Sequence, residues 1–329
     1  MPSEQISDKT AGQGELLFNR LSKRFRHLRK WARRTGTNSF RLYDRDIPEI
    51  PLVLDLYDDA ISGALYKRPR EEDENFPEST ENWLFAMKAA AARALDIPES
   101  RIFLKERMRM KRRQESGTQY GRITGQNFYR DVKEGDLVFR VNLSDYLDTG
   151  LFLDSRKKRA LIRREAGGKR ILNLFAYTCS LSVAAAKGGA RLTDSVDLSN
   201  TYLEWGRINF ALNGLQSPSL IRGDVMRFIA QAAKSAPRWD IIILDPPAFS
   251  NSKKMRGTLD IQRDHRQLIR RCLSLLRAGG TLYFSSNTKG FCLAAEDFTD
   301  CIIKDIRPDL VDEDFRGKRI PACYTLKRE

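Results

Sequence analysis

Three acids follow strand-like apolar runs in one stretch of the chain. Asp197 closes a run ending Ser195-Val196, Asp224 comes just after Ser219–Arg222, and Asp245 directly follows Trp239–Leu244. One acid after a strand is commonplace. Three at successive strand ends form a constellation, because an open parallel sheet gathers its ligands at the carboxyl edge. A polar turn, Asn173-Leu-Phe-Ala-Tyr-Thr-Cys-Ser180, leads from the run Ile171–Phe175 into a helix-like segment, and the last acid opens Asp245-Pro-Pro-Ala-Phe249. Each acid could instead cap a helix, and Asp224, just ahead of one, is the acid most open to that reading.

Regular elements must position these residues. After Ser144 apolar runs alternate with helical patterns: Ile171–Phe175, then Ser180–Lys187; Ser195–Asp197, then Tyr202–Leu212; Ser219–Arg222, then Val225–Ala233; Trp239–Leu244, then Ile261–Leu276; and Thr281–Ser285. The tail offers two more strands, Leu310–Phe315 and Ala322–Leu326. Such alternation predicts a parallel sheet with helices on both faces. The fold class expected is α/β: a Rossmann-like domain preceded by a small α+β domain.

The first half has a different rhythm. Leu16, Phe18, Leu21, Phe25, Leu28 and Trp31 recur mostly at steps of three and four, one stripe of an amphipathic helix from Glu15 to Thr35. Its other face carries Arg20, Lys23, Arg24, Arg26, Arg29, Lys30, Arg33 and Arg34 against the single acid Glu15. That bias exceeds what solubility requires and suits phosphate contact, with Lys23, Arg26, Arg29, Lys30 and Arg33 as the candidate residues. Strands are expected at Phe40–Tyr43, Leu52–Tyr57, Ile61–Tyr66, Ile102–Arg107, Asn127–Asp131 and Leu137–Asn142, with a helix at Thr80–Leu95 and an exposed loop at Pro69–Ser79. The segment Arg107–Tyr120, with Arg109, Lys111 and Arg112, reads as a basic loop able to grip RNA, or as a solvated hairpin tip. The domain plan is a loose leader at 1–13, a basic RNA-binding α+β domain at 14–144 and the catalytic domain at 145–329.

Composition narrows the function classes. Of 329 residues, 58 are Lys or Arg and 43 Asp or Glu, giving a net charge of +15 that favours a polyanionic partner. No run of about 18 apolar residues exists to cross a membrane, and the N-terminus lacks a secretory pattern. The five cysteines are scattered without a CxxC pair, which argues against a zinc site and a disulfide framework. The expectation is a cytoplasmic protein with no metal and no membrane partner; nothing in the pattern specifies an oligomeric state.

Longer strings carry a family resemblance. They are Asp145-Tyr-Leu-Asp-Thr-Gly-Leu-Phe-Leu-Asp154 with Arg156, Leu172-Asn-Leu-Phe-Ala-Tyr-Thr178, Thr201-Tyr-Leu-Glu-Trp205 with Asn209 and Asn213-Gly214, Asp245-Pro-Pro-Ala-Phe-Ser-Asn-Ser-Lys253, and Phe284-Ser-Ser-Asn287. From about Phe18 onward the chain resembles the bacterial 23S rRNA methyltransferases of the RlmK and RlmI group, most of all the RlmK half of the fused RlmKL enzymes. The fused enzymes carry a second methyltransferase and an RNA-binding extension ahead of that half; the expectation is therefore a stand-alone relative or a fragment.

The resemblance implies S-adenosylmethionine as cofactor and 23S ribosomal RNA as partner. It places the ribose hydroxyls on Asp197, with Leu198 beside it, and the adenine amine on Asp224, with Val225 packed on the ring. Asn173, Phe175, Tyr177, Thr178 and Ser180 would wrap the methionine moiety. Phe152, Asp154 and Arg156 would close over the cofactor, Arg156 pairing with its carboxylate. Asp245, which would also border the cofactor, would form the base pocket with Pro246, Pro247 and Phe249, the prolines stiffening it and Phe249 stacking on a flipped base; the bland reading is a stiff loop with a core Phe. Cys179 stands where the family has a glycine after Tyr-Thr, so a left-handed backbone there would be uncomfortable. A nucleophilic role for Cys179 lacks a neighbouring base. His265, inside a helix, reads as surface or structural.

The residues also bear on which atom is methylated. Carbon 5 of cytosine needs a cysteine after the fifth strand, as in the RlmI-like branch; here that place reads Phe284-Ser-Ser-Asn287, and Cys292 lies several residues on. Guanine N7 carries a lone pair and no proton, so it needs only alignment with the methyl and exclusion of water. These residues fit that lower demand, and the resemblance to the RlmK half implies guanine-N7 methylation. Against it stand an exocyclic-amine or cytosine-5 methyltransferase, a protein methyltransferase, and a non-catalytic RNA-binding module.

Overall fold

A computed structural model describes residues 7–66, 80–107, 123–216, 218–236, 238–250 and 258–328. Two compact units divide the chain: Met1–Asp136 with Arg140–Thr149, and Leu137–Phe139 with Gly150–Glu329. Residues 137–139 group with the second unit and residues 140–149 with the first.

The first unit opens with α1 (Asp8–Thr35), which begins seven residues before the expected Glu15, so residues 8–13 are helical where a loose leader was anticipated. Ser7 explains the earlier start: its side chain accepts from the Thr10 amide, and Asp8 supplies an acid in the first turn. Gly36 ends the helix in the left-handed conformation, its amide reaching Ala32 and Arg33 carbonyls. The strands β1 (Ser39–Asp44), β2 (Leu52–Tyr57), β3 (Ala60–Leu65) and β4 (Ile102–Glu106) form a sheet in that order, antiparallel except for the β3–β4 pair. Helix α2 (Thr80–Leu95) packs with α1 over it. Leu17, Leu21, Leu28, Trp83 and Met87 are fully buried, and Trp83 Nε1 donates to Gln13 Oε1 at 2.6 Å. Strands β5 (Tyr129–Glu134) and β6 (Leu137–Asn142) follow. The expected loop at 69–79 and the basic candidates Arg109, Lys111 and Arg112 lie outside the described residues.

The second unit begins with an element the sequence hid, helix α3 (Arg156–Glu165). Then come β7 (Arg170–Leu174), α4 (Ser180–Lys187), β8 (Leu192–Asp197), α5 (Asn200–Leu212), β9 (Ser219–Arg222), α6 (Val225–Ala232) and β10 (Trp239–Leu244). Two short strands, β11 (Phe249–Ser250) and β12 (Leu259–Asp260), pair with each other before α7 (Ile261–Leu273), β13 (Leu276–Ser286), β14 (Cys301–Asp305) and β15 (Ala322–Arg328). The sheet runs β14-β15-β13-β10-β7-β8-β9. Its five consecutive strands from β13 to β9 are parallel, and β15 and β14 are antiparallel additions. From β7 the chain builds outward through β8 and β9, then returns to β10 on the other side, so the strand order reverses between β7 and β10. Ile171, Leu172, Leu174 and Ile241–Leu244 are buried, as strands covered on both faces must be.

The tail corrects one expectation. Leu310–Phe315 is not a strand but parts of two single-turn helices, Arg307–Leu310 and Glu313–Phe315. Pro308 lacks the amide a ladder needs, and Asp312 accepts from the Glu313 amide to start the second turn. Cys301–Asp305 provides the edge strand instead.

Candidate active site

The carboxyl ends of β7, β8 and β10 bring the sequence candidates together at the reversal in strand order, where open α/β sheets bind ligands. The turn after β7 is unusual: Phe175, Tyr177 and Cys179 all have positive φ, at 59°, 51° and 61°. Left-handed non-glycine residues each cost of order 1–3 kcal/mol and persist only where the surroundings over-determine them. Here the pins are explicit. The Ala176 amide donates to Val196 O at 3.0 Å and the Tyr177 amide to Asp197 Oδ2 at 2.9 Å. Thr178 Oγ1 donates to Gly150 O at 2.6 Å, and Asn209 Nδ2 to Thr178 O at 2.9 Å. Gly150, itself at φ 97°, has no alternative, since a Cβ there would collide with the Trp205 ring. Cys179 is thus left-handed without glycine's freedom and wholly buried; burial pushes its thiol up to about 12, which leaves it protonated and unreactive at neutral pH.

Asp197 does two jobs in this turn. Its Oδ1 accepts from the Ser199 amide at 2.9 Å while Oδ2 holds Tyr177. Burial pushes its carboxyl above the usual carboxylate range, an effect the Ser199 and Tyr177 amides only partly offset. Leu198 beside it is half-buried. Upstream, Asn173 Nδ2 donates to Ser182 Oγ at 2.9 Å, but its Oδ1 is buried with no hydrogen-bond partner among the described residues. Ser180 opens α4. Asp224 caps α6: one carboxylate oxygen accepts from the Arg227 amide at 2.9 Å, the role a structural reading assigned it, and Val225 behind it is buried.

The segment ahead of α3 also lies in the second unit. Phe152 is 48% exposed and its ring lies 5.3 Å from that of Tyr177, which in turn meets Tyr202 edge-on at 4.5 Å. Asp154 sits in the single turn Leu153–Ser155 before α3. The buried guanidinium of Arg156 binds Asp312 at 2.9 Å and Asp314 at 3.0 Å, so it ties α3 to the tail. Two neighbours that sequence reasoning passed over are also buried. Arg159 donates to the Phe152 carbonyl at 2.9 Å and lies over the Phe139 ring. Lys158 Nζ donates to Asp245 Oδ2 at 2.7 Å and to Ser285 Oγ at 2.9 Å. No local signal marks these residues; in a run of six cations and one acid, apolar periodicity has nothing to register.

After Asp245, Pro246 is buried and Pro247 half-buried. Phe249, half-buried, begins β11 opposite Asp260. His265 is structural: it is buried, with Nδ1 3.0 Å from Ile261 O and Nε2 accepting from the Ala294 amide. Cys292 is exposed and lines an open cavity of about 530 Å³ with Gln262, Arg263, Arg266 and Glu296; Asp245, Phe249 and Ser285 are not among its lining residues. No group of three metal-ligating side chains occurs among the described residues, and none of their helices is long and apolar enough to cross a membrane. In the first unit, Lys23, Arg26, Arg29, Lys30 and Arg33 of α1 are all exposed, while Arg20 is engaged with Asp46.

Comparison with known proteins follows the same outline. A family model described as S-adenosylmethionine-dependent methyltransferase matches residues 46–298. The ribosomal RNA large subunit methyltransferase K/L of Stutzerimonas stutzeri is 47% identical over 95% of this chain, and that of Pseudomonas fluorescens 45% over 95%. The matched region is 42% and 40% of those proteins, so the chain spans about two fifths of their length. Among solved structures, a Streptococcus mutans protein described as a SAM-dependent methyltransferase superposes over 98% of this chain and 83% of its own, with a TM-score of 0.72 at 22% identity. The SAM-dependent methyltransferase from Agrobacterium tumefaciens covers 84% of this chain and 87% of its own, with a TM-score of 0.57 at 17% identity. These two likenesses concern the fold.

Proposed function

The chain belongs to the S-adenosylmethionine-dependent methyltransferase family, and from that premise we propose that it methylates N7 of a guanine in 23S ribosomal RNA, in the cytoplasm. The observation that carries the choice of atom is the end of β13. Where carbon methylation needs a cysteine, the chain has Phe284-Ser-Ser-Asn287, and Ser285 there is engaged with Lys158.

The donor set fits the cofactor. The orphaned Asn173 Oδ1 is an acceptor suited to the ammonium of a methionine moiety. Asp197 retains lone pairs after its two amide bonds and suits a ribose diol; the second oxygen of Asp224 suits the adenine amine. Phe152 and Tyr177 offer apolar cover at the same turn. When bound, the cofactor supplies an electrophilic methyl group on sulfur. The remaining work falls to the chain. Guanine N7 presents a lone pair, so the pocket must orient it and exclude water. Asp245, already ion-paired, serves as a hydrogen-bond acceptor for the base. Pro246 and Pro247 fix the backbone there, and Phe249 offers a ring for stacking.

Nucleoside mass spectrometry of 23S RNA incubated with the protein and S-adenosylmethionine should find 7-methylguanosine. A 5-methylcytidine product, or a covalent adduct on 5-fluorocytidine RNA that disappears when Cys292 is replaced, would overturn the reading. An exocyclic amine is the second reading, because the carboxylate of Asp-Pro-Pro also suits an amino group; an N-methylated amine in the digest would establish it. A module that only binds RNA needs none of Asp197, Asp224 and Asp245, and calorimetry showing no cofactor binding would point there.

Two further results are expected. Cys179→Ser and Cys292→Ser should each keep at least about a tenth of the wild-type rate, whereas loss of a true nucleophile costs several orders of magnitude. Replacing Arg26, Arg29, Lys30 and Arg33 together by Ser should flatten the slope of log affinity against log salt by roughly 2–4, the counterion release of that many phosphate contacts. A slope as steep as wild type would show that α1 does not touch phosphate.

A further inference from the structure

Three side chains join the ends of two neighbouring strands. In the β10–β13 pair Leu244 lies opposite Phe284, so Asp245 and Ser285 are the next residues on adjacent parallel strands. Lys158 of α3 reaches both, and its side chain is only 5% exposed. Burial works against its charge, but the Asp245 carboxylate together with other neighbouring groups, Asp154 among them, holds the ammonium above its ordinary range. Ser285 Oγ lies 3.9 Å from the buried Cys323 Sγ, which completes the support on the far side. Asp245 is different: its side chain is 31% exposed, and only Oδ2 is engaged among the described residues.

The asymmetry carries the argument. A buried ion pair kept for stability alone is a poor bargain, because apolar side chains of similar volume are often as good or better. Here one partner is buried and locked while the other has a partly exposed side chain whose Oδ1 has no partner among the described residues. An unrestrained Asp after a strand samples several rotamers; a 2.7 Å charge-assisted bond selects one. With Oδ2 taken, a single oxygen remains to face a ligand. The other buried cations of α3 meet other groups, Arg156 on Asp312 and Asp314 and Arg159 on the Phe152 carbonyl.

We infer that Lys158 is a positioning residue, a clamp anchored on Ser285 that fixes Asp245 Oδ2 and presents Oδ1 to the base. The presentation to a base rests on the methyltransferase reading above; the clamp is a property of this chain alone. The test is a double-mutant cycle of Lys158→Met and Asp245→Asn, read by methyl transfer to RNA that the wild type modifies and by cofactor calorimetry. Lys158→Met should lower kcat by roughly 10–100-fold, the scale of a misplaced reacting group, with cofactor affinity unchanged. In the Asp245→Asn background the same change should cost less than about threefold, because residues acting as a unit are not additive. Wild-type turnover in Lys158→Met, or losses that multiply in the double variant, would overturn the clamp. If Lys158→Met does not fold, the double variant, which removes both charges, should fold; failure of both would show a structural role only. Acetic anhydride labelling gives a readout free of RNA: Lys158 should react several-fold faster in Asp245→Asn than in wild type, and equal rates would refute the clamp. A wild type that methylates no RNA but shows the labelling difference would separate failure of the function from failure of the clamp.

Discussion

Asp245→Ala is expected to lower methyl transfer by at least about a hundredfold while leaving S-adenosylmethionine affinity within about twofold, because a positioned acceptor lost from a reacting pocket typically costs 10²–10³. The residue follows β10 at the reversal in strand order, and its Oδ1 has no partner among the described residues. The same substitution strands the Lys158 ammonium, which has few other partners and is almost wholly buried. Removing one member of a buried pair commonly costs 3–5 kcal/mol; with Asp245 part exposed, about 2–4 kcal/mol is expected. Thermal melting should therefore fall by roughly 5–10 °C. Activity and stability must be measured together below the melting transition. Unchanged turnover in a folded variant would remove Asp245 from the site.

Asp197→Ala is expected to weaken S-adenosylmethionine binding by about 1.5–3 kcal/mol, roughly 10–150-fold, the scale of charge-assisted hydrogen bonds. Two effects combine: the acceptor for a ribose diol is lost, and the Tyr177 amide that Asp197 holds is released from the left-handed turn. The raised carboxyl adds a pH signature. The binding form is the carboxylate, so affinity should be full above its pKa and decline as pH falls through it, at a higher pH than an ordinary aspartate would give. Asp197→Asn should bind weakly with that dependence gone. Calorimetry across pH 4–8 measures both, and an affinity in Asp197→Ala equal to wild type would reassign the cofactor's ribose elsewhere.

The sequence by itself determined the alternation of strands and helices from β7 to β10 and the acids at the strand ends. Buried parallel strands such as Trp239–Leu244 announce themselves as short apolar runs, and a helix such as Ser180–Lys187 follows each through its own local propensity. Asp197, Asp224 and Asp245 could be placed at strand ends because the ends of apolar runs are local features. The extra turns of α1 were missed because Asp8–Gln13 is polar on its face, although Ser7 at its start is the kind of residue that caps a helix. Leu310–Phe315 failed as a strand because apolar content at two ends of a segment does not reveal an intervening turn.

Only the tertiary structure decided what the charged residues of α3 do. Lys158 meets Asp245 across 87 residues, and Arg156 meets Asp314 across 158. No local pattern marks Lys158, and the acids that Arg156 meets are likewise set by the fold. Hydrophobic periodicity reports whether a face is buried among apolar atoms, and it is written along a few turns of chain. A buried cation is stabilised instead by a specific carboxylate at 2.7–3.0 Å, whose position depends on how distant strands and helices pack. That partner is fixed only when the chain closes on itself.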